Sequence, residues 1–125
     1  MTTDGYEVGL KVRREVLGED YVDGNLSKAA GSPFGPQWQE FLTEYCWGRS
    51  WGGDELPRKT RSLVTVALLA ALGRSKELGT HILGARNNGA TEEEIRAVLM
   101  HTAVYAGVPV GVEAFRVAEE VWPKP

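Results

Sequence analysis

Residues 63–72 read LVTVALLAAL, a stretch so apolar that a helix formed by it has almost no polar face. Residues 54–57, DELP, lie just before it and are typical of a helix start, with acidic residues ahead of a first-turn proline. A helix that is apolar on every side has to be buried on every side. In a chain of 125 residues, this pattern predicts either a central helix or subunits that pack around it.

Upstream of this stretch, the sequence predicts two helices separated by a long loop. The first helix shows apolar residues at helical spacing and has a plausible end at Gly18. Residues 19–36 contain three glycines and two prolines and read as the loop. The second helix shows a repeat of Trp38, Phe41, Leu42, Tyr45 and Cys46, which residues 47–53, WGRSWGG, interrupt.

Downstream, Thr91 and Glu94 form a capping box that begins another helix, and Gly107 ends it. A last helix opens at Val108-Pro109. The chain contains no alternating strand pattern and no internal repeat. The sequence therefore predicts an all-α protein of about six helices, in a single domain over residues 1–125.

Composition excludes several classes of function. A net charge of -3 and a pI near 5.4 argue against nucleic acid as a partner. The apolar stretch is too short to span a membrane, and no secretion signal is visible. Cys46 is the only cysteine, so no intramolecular disulfide can form, and a reducing compartment is suitable. We expect a cytoplasmic protein without a membrane partner.

Residues 74–81, RSKELGTH, hold the first candidate site. If Ser75 caps a helix, Arg74 lies at its mouth, and Glu77 and His81 share one face a turn apart. A carboxylate so placed can orient the imidazole and raise its basicity, which favours proton transfer. An ordinary ion pair on a helix surface is the alternative.

Other residues could bind a small anion. Arg49, Arg61 and Arg74 are candidates because guanidinium groups hold carboxylates with two bonds, and Trp51 could line a pocket beside Arg49. Packing and charge neutralisation are the alternatives for these residues.

His101 and Tyr105 are also one turn apart and are candidates for substrate binding or for packing. The sequence shows neither an HExxH motif nor a cysteine-rich cluster, so we expect no metal site. It shows no phosphate loop, nucleophile elbow or paired-cysteine motif, so we expect no bound cofactor either.

The motifs together resemble the carboxymuconolactone decarboxylase family, which belongs with the alkylhydroperoxidase D group. The resemblance is carried by RKTRSLVT at 58–65, AALGR at 70–74, NNGAT at 87–91 and YAGVP at 105–109, with Glu77 and His81 between them. It covers nearly the whole chain. It implies an all-helical fold and a homo-trimer or homo-hexamer. Redox members of the group carry a cysteine pair where this chain has Arg74 and Glu77, so the resemblance implies that peroxidase chemistry is lost and the histidine retained.

The resemblance also implies a reaction. A carboxy-lyase of this family would convert 4-carboxymuconolactone, an anionic lactone, to 3-oxoadipate enol-lactone and CO2 in protocatechuate catabolism, without a cofactor. His81 would transfer the proton with help from Glu77. Arg61, Arg49 and Arg74 would bind carboxylate or lactone oxygens, and Trp51 would be an apolar wall.

Three alternatives remain open. Residues 53–57, GDELP, differ from the family's usual Arg-Pro-Gly-Leu-Asp, so the protein could be a decarboxylase or isomerase of another small acid. It could also be a thiol peroxidase-like oxidoreductase, or a non-catalytic oligomeric subunit.

Overall fold

The computed structural model describes residues 4–125, and every regular element within them is helical, which confirms the prediction of an all-α protein. There are seven α-helices in this part of the chain: α1 Asp4–Leu17, α2 Glu19–Ala30, α3 Gly35–Leu42, α4 Arg58–Leu72, α5 Ser75–Asn87, α6 Glu92–Ala106 and α7 Val108–Val121. A π-helix, Thr43–Ser50, follows α3 directly. None of these helices is long and apolar enough to cross a bilayer.

The helices form two compact units, one that ends at Pro57 and one that comprises Arg58–Pro125. The first unit holds α1 to α3 and the π-helix, and the second holds α4 to α7. The single domain expected over residues 1–125 stays a prediction.

In the first unit, α1 packs along the π-helix. Val12 and Val16 of α1 are buried against Trp47 and Trp51, whose rings stack with centroids 4.9 Å apart. Gly9 permits the close approach, because a Cβ at this position would lie 2.8 Å from the Gly48 nitrogen and still closer to the Thr43 carbonyl oxygen. The first apolar repeat of the sequence thus supplies half of this buried core, and the two tryptophans supply the rest.

The predicted loop over residues 19–36 is wrong for its first two-thirds, because residues 19–30 form α2. Acidic Glu19 and Asp20 occupy the first turn, where they complement the positive end of the helix. Val22 is completely buried, and the Asp23 carboxylate accepts hydrogen bonds from Arg14 Nε and Nη2 at 3.0 and 2.6 Å. Only residues 31–34 connect α2 to α3.

The second predicted helix also continues further than expected, since the π-helix carries it through Trp47 to Ser50. Arg13 of α1 forms hydrogen bonds to one residue of α3 and to the first residue of the π-helix. Arg13 is 3% exposed, and its guanidinium donates to Gln39 Oε1 at 2.8 Å and to Thr43 Oγ1 at 3.2 Å. A π-helix has one more residue per hydrogen-bonded loop than an α-helix and often marks a functional region.

In the second unit, α4 packs against α5, α6 and α7, and α7 also packs against α5 and α6. The buried core is formed by ten residues: Val66, Ala70, Leu78, Ile82, Ala85, Ala90, Ile95, Leu99, Ala114 and Val117. The predicted capping box is confirmed, since Thr91 Oγ1 accepts from the Glu94 amide at 3.1 Å and Glu94 Oε1 accepts from the Thr91 amide at 3.0 Å.

The central helix α4 is only half buried within one chain. Its apolar side chains Val64, Leu68 and Leu72 are 49%, 57% and 69% exposed. The expectation that α4 is buried on every side is therefore not met within the monomer. These three side chains recur every four residues and form an exposed apolar row along α4.

Candidate active site

The stretch at residues 74–81 forms the N-cap and the first two turns of α5. Gly73, with a φ of 73°, turns the chain sharply between α4 and α5. Arg74 is the N-cap residue and provides no side-chain cap, so Ser75 does not cap this helix as its position suggested. Ser75 is instead the first helical residue, and its hydroxyl donates to Glu113 Oε2 of α7 at 2.8 Å.

Glu77 and His81 share one face of α5, as the spacing predicted. Glu77 is exposed and His81 is partly buried. Burial lowers the pKa of His81 from 6.5 to about 4, and the charge of Glu77 raises it by less. The net effect is opposite to the raised basicity that spacing alone suggested. At neutral pH the imidazole is therefore uncharged, with one nitrogen free of a proton.

Arg61 and Arg74 lie at opposite ends of the hairpin that α4 and α5 form. Asn88, the C-cap of α5, donates to Ser62 Oγ of α4 at 2.9 Å, which places Arg61 at the level of the C-terminal end of α5. Arg74 precedes His81 by seven residues, or about 10 Å along α5. The two arginines thus lie on either side of His81 along the hairpin axis.

Two predicted site residues belong to the first unit. Arg49 is exposed near the end of the π-helix. Trp51 is only 6% exposed and stacks on Trp47 in the core of that unit. The structure therefore gives Trp51 a packing role in its own unit.

His101 and Tyr105 lie on α6, which packs mainly against α4 and α7 rather than against α5. Their rings are 5.0 Å apart, and Tyr105 is 81% exposed. Met100 and Val104 beside them are also exposed. Within the second unit, this pair and the Glu77–His81 pair lie on different helices that do not form a main packing contact.

No group of three or more His, Cys, Asp or Glu side chains among residues 4–125 is arranged to hold a metal ion. A cavity of 410 Å³ in the second unit opens between α6, α7 and residues 122–125, and none of the predicted site residues lines it.

Glu113 is the residue near α5 that the sequence analysis missed. Arg116 holds its carboxylate with bonds of 3.0 Å from Nε and 2.6 Å from Nη2. These bonds from Arg116, followed by the bond from Ser75, lower the pKa of Glu113 to about 2. Glu113 and Ser75 are 38 residues apart, so no local pattern connects them.

Comparison with known proteins identifies the family of this chain. Residues 36–120 match the model of the carboxymuconolactone decarboxylase family. The chain is 44% identical over 117 residues to a 4-carboxymuconolactone decarboxylase from Acinetobacter baylyi, which covers 94% of this chain and 86% of the relative. It is also 44% identical over 115 residues to the nitrosuccinic acid decarboxylase npaB from Metarhizium robertsii, covering 92% of this chain and 79% of that relative. The match to the family model extends over more than half of the chain, and the chain therefore belongs to the carboxymuconolactone decarboxylase family.

Proposed function

We propose that this protein decarboxylates 4-carboxymuconolactone to 3-oxoadipate enol-lactone and CO2. The observation that carries the proposal is the 44% identity, over 94% of the chain, to a relative with that activity. The partly buried His81 beside the Glu77 carboxylate also supports it, together with Arg61 on α4 and Arg74 at the start of α5. The protein is then a carboxy-lyase of protocatechuate breakdown.

The substrate supplies the electron sink for this reaction. The bond between ring carbon and carboxylate breaks, CO2 leaves, and the electron pair passes into the conjugated lactone carbonyl to give a dienolate. Protonation at carbon then yields the enol-lactone. The protein has to stabilise the negative charge on the lactone oxygen, hold the remaining carboxylate and deliver one proton.

His81 is the proposed proton carrier. In the ligand-free protein the imidazole is neutral, because burial keeps its pKa near 4. A bound dianion beside it favours the imidazolium, so binding draws one proton from solvent. His81 gives that proton to the dienolate carbon after CO2 has left and returns to its neutral form. Glu77, one turn earlier, orients the ring.

Arginines are the proposed substrate-binding residues. Arg61 and Arg74 flank His81 on α4 and α5, and Arg49 is exposed on the π-helix. Each can hold a carboxylate or the lactone oxygen with paired hydrogen bonds. The proposal also includes Trp51 as an apolar wall and His101 and Tyr105 as binding residues. Trp51 is buried in the core of the first unit, and His101 and Tyr105 are exposed on α6.

Nitrosuccinic acid is the second candidate substrate, since the chain is equally identical, at 44%, to a decarboxylase of that acid. Its decarboxylation makes the same demands, because a nitro group takes up the electron pair as the lactone carbonyl does. A thiol peroxidase-like activity is less well supported. Burial raises the pKa of the Cys46 thiol, which disfavours the reactive thiolate.

One experiment decides between the two acids. The protein is given each acid in turn, and CO2 release and ultraviolet absorbance are followed. We expect a kcat/KM at least about tenfold higher for 4-carboxymuconolactone than for nitrosuccinic acid. The reverse ranking would transfer the proposal to nitrosuccinic acid. No turnover of either acid would favour another small acid or a non-catalytic subunit.

His81→Gln tests the proton carrier, with Glu119→Gln as its control. Loss of a general acid typically lowers the rate about 100-fold to 10,000-fold, so we expect His81→Gln to release almost no CO2 while it stays folded. Glu119→Gln changes an exposed acid of α7 outside the proposed site and should keep most of the activity. Equal activity of both variants would contradict the role of His81.

We also propose a homo-trimer or homo-hexamer. The exposed apolar side chains of α4, and those near His101 and Tyr105 on α6, are the surfaces that support it. A cytoplasmic location, without nucleic-acid or membrane partners, stays a prediction from the sequence.

A further inference from the structure

The position of α5 decides where Glu77 and His81 lie, and side chains from neighbouring helices fix both of its ends. At the C-terminal end, Asn88 is bonded to Ser62 of α4. At the N-terminal end no capping side chain is present, and the contact there is the hydrogen bond from Ser75 to Glu113.

Glu113 is prepared for this contact by its own helix. Arg116, three residues further along α7, grips both carboxylate oxygens, and its Nη1 donates to Glu120 Oε1 at 2.9 Å. The carboxylate that meets Ser75 is therefore oriented by contacts within α7 itself. Since the charge of Glu113 is already paired with Arg116, its remaining role is to accept the hydrogen bond from the Ser75 hydroxyl.

A second close contact lies one turn further along α5. A Cβ at Gly79 would lie 3.1 Å from Val121 Cγ1, so α5 and α7 approach each other closely here. Ser75 and Gly79 are four residues apart and share the face of α5 that meets α7. His81 is six residues beyond Ser75, about 240° around the helix, and points away from that face. Any slide or rotation of α5 on α7 therefore moves His81.

We propose that Glu113 is a positioning residue for the reaction. Through Ser75 it fixes the rotation of α5 and its position along the helix axis, and thereby the positions of His81 and Glu77. This inference rests on the proposed roles of those two residues. The bond is not needed to hold the unit together, because half-exposed ion pairs and hydrogen bonds contribute little stability and the buried core remains.

The test uses Ser75→Ala and Glu113→Ala in the full chain, with 4-carboxymuconolactone as substrate. We expect each variant to lower kcat between about tenfold and 100-fold, because small displacements of reacting groups are costly. KM should change less than kcat, because the proposed binding residues Arg49 and Arg61 lie outside α5. The double variant should be no worse than either single one, because both remove the same interaction.

Two controls separate position from general damage. Ser75→Thr keeps the hydroxyl and should restore most of kcat. Glu119→Ala removes a neighbouring exposed acid of α7 that is not part of this network, and it should behave as the wild type. Wild-type kcat in both Ser75→Ala and Glu113→Ala would overturn the proposal.

A readout without substrate makes the result independent of the proposed reaction. The NMR signals of the His81 imidazole are followed in the ligand-free proteins. We expect them to move in Ser75→Ala and in Glu113→Ala, and to stay in place in Glu119→Ala. Unmoved signals would overturn the positioning role. Moved signals in a protein that turns over neither acid would leave that role standing and reject the proposed function.

Discussion

His81 owes its protonation state to burial more than to its neighbour in sequence. Glu77 is one turn away and exposed, so water screens most of its charge. Burial of the ring removes water that stabilises the charged imidazolium more than the neutral imidazole, and this effect on the pKa dominates. A histidine that is neutral until an anion binds can take up the proton it later delivers, which suits a decarboxylase acting near neutral pH.

The same burial makes folding stability depend on pH. The folded protein releases the His81 proton near pH 4, whereas the unfolded chain keeps it up to about 6.5. Between these values the unfolded state binds more protons, so the free energy of unfolding falls as the pH is lowered through this window. The contribution of His81 is complete above pH 6.5 and amounts to at most about 3 kcal/mol.

Denaturant unfolding across pH 4 to 6.5 checks this prediction. The wild type should lose stability steadily as the pH falls, and His81→Gln should lose clearly less. His101→Gln, which removes an exposed histidine, should follow the wild type. Parallel curves for the wild type and His81→Gln would show that His81 titrates normally in the folded protein.

At the residue scale, sequence patterns located what is local and missed what depends on distant contacts. Glu77 and His81 were found because one turn of helix separates them. Glu113 was not found, because its partner Ser75 is 38 residues away and only the packing of α7 on α5 joins them. The direction of the His81 pKa was missed for the same reason, since burial is a property of the fold.

At the element scale, helices were predicted wherever apolar residues repeat over several turns. The first helix and the last four followed this rule. Helix α2 did not, because Val22 is its only buried residue and two glycines occur in and just after it. The π-helix was missed because apolar spacing does not separate it from an α-helix, and its contacts with Arg13 and Gly9 join residues about 30 or more positions apart.

The contact of α1 with the π-helix gives a sharp prediction. In Gly9→Ala the new Cβ would overlap the Thr43 carbonyl and lie within 2.8 Å of the Gly48 nitrogen, and both are backbone atoms. The helices would have to separate, at a cost of about 2 kcal/mol in the free energy of unfolding. A thermal or urea unfolding curve measures this loss.

Gly24→Ala is the matched control. Gly24 lies inside α2, and a Cβ there would meet nothing within 4 Å. This substitution should leave stability unchanged or raise it by roughly 0.5–1 kcal/mol, because alanine is the better helix former. Equal stability of the two variants would mean that α1 and the π-helix are not in close contact in solution.

At the scale of the whole molecule, the similarity to known decarboxylases extends through both compact units. The family model begins in α3 and covers nearly all of the second unit, and the Acinetobacter relative aligns over 117 residues. The candidate proton carrier lies in the second unit, and one candidate anion-binding residue, Arg49, lies in the first.

The exposed apolar surface of the second unit leads to a prediction about assembly. Val104 and Val108 are 77% and 71% exposed, and Met100 and Val112 beside them exceed 60%. An apolar patch of this kind is typical of a protein interface. We expect sedimentation velocity to show a homo-trimer or homo-hexamer. Val104→Glu should shift the assembly to smaller species, because a carboxylate is costly to bury without a partner.

Gln37→Glu, which adds the same charge at an exposed polar position of α3, should leave the assembly intact. A wild-type protein that sediments as a monomer would contradict the prediction and leave the apolar row of α4 without a covering subunit.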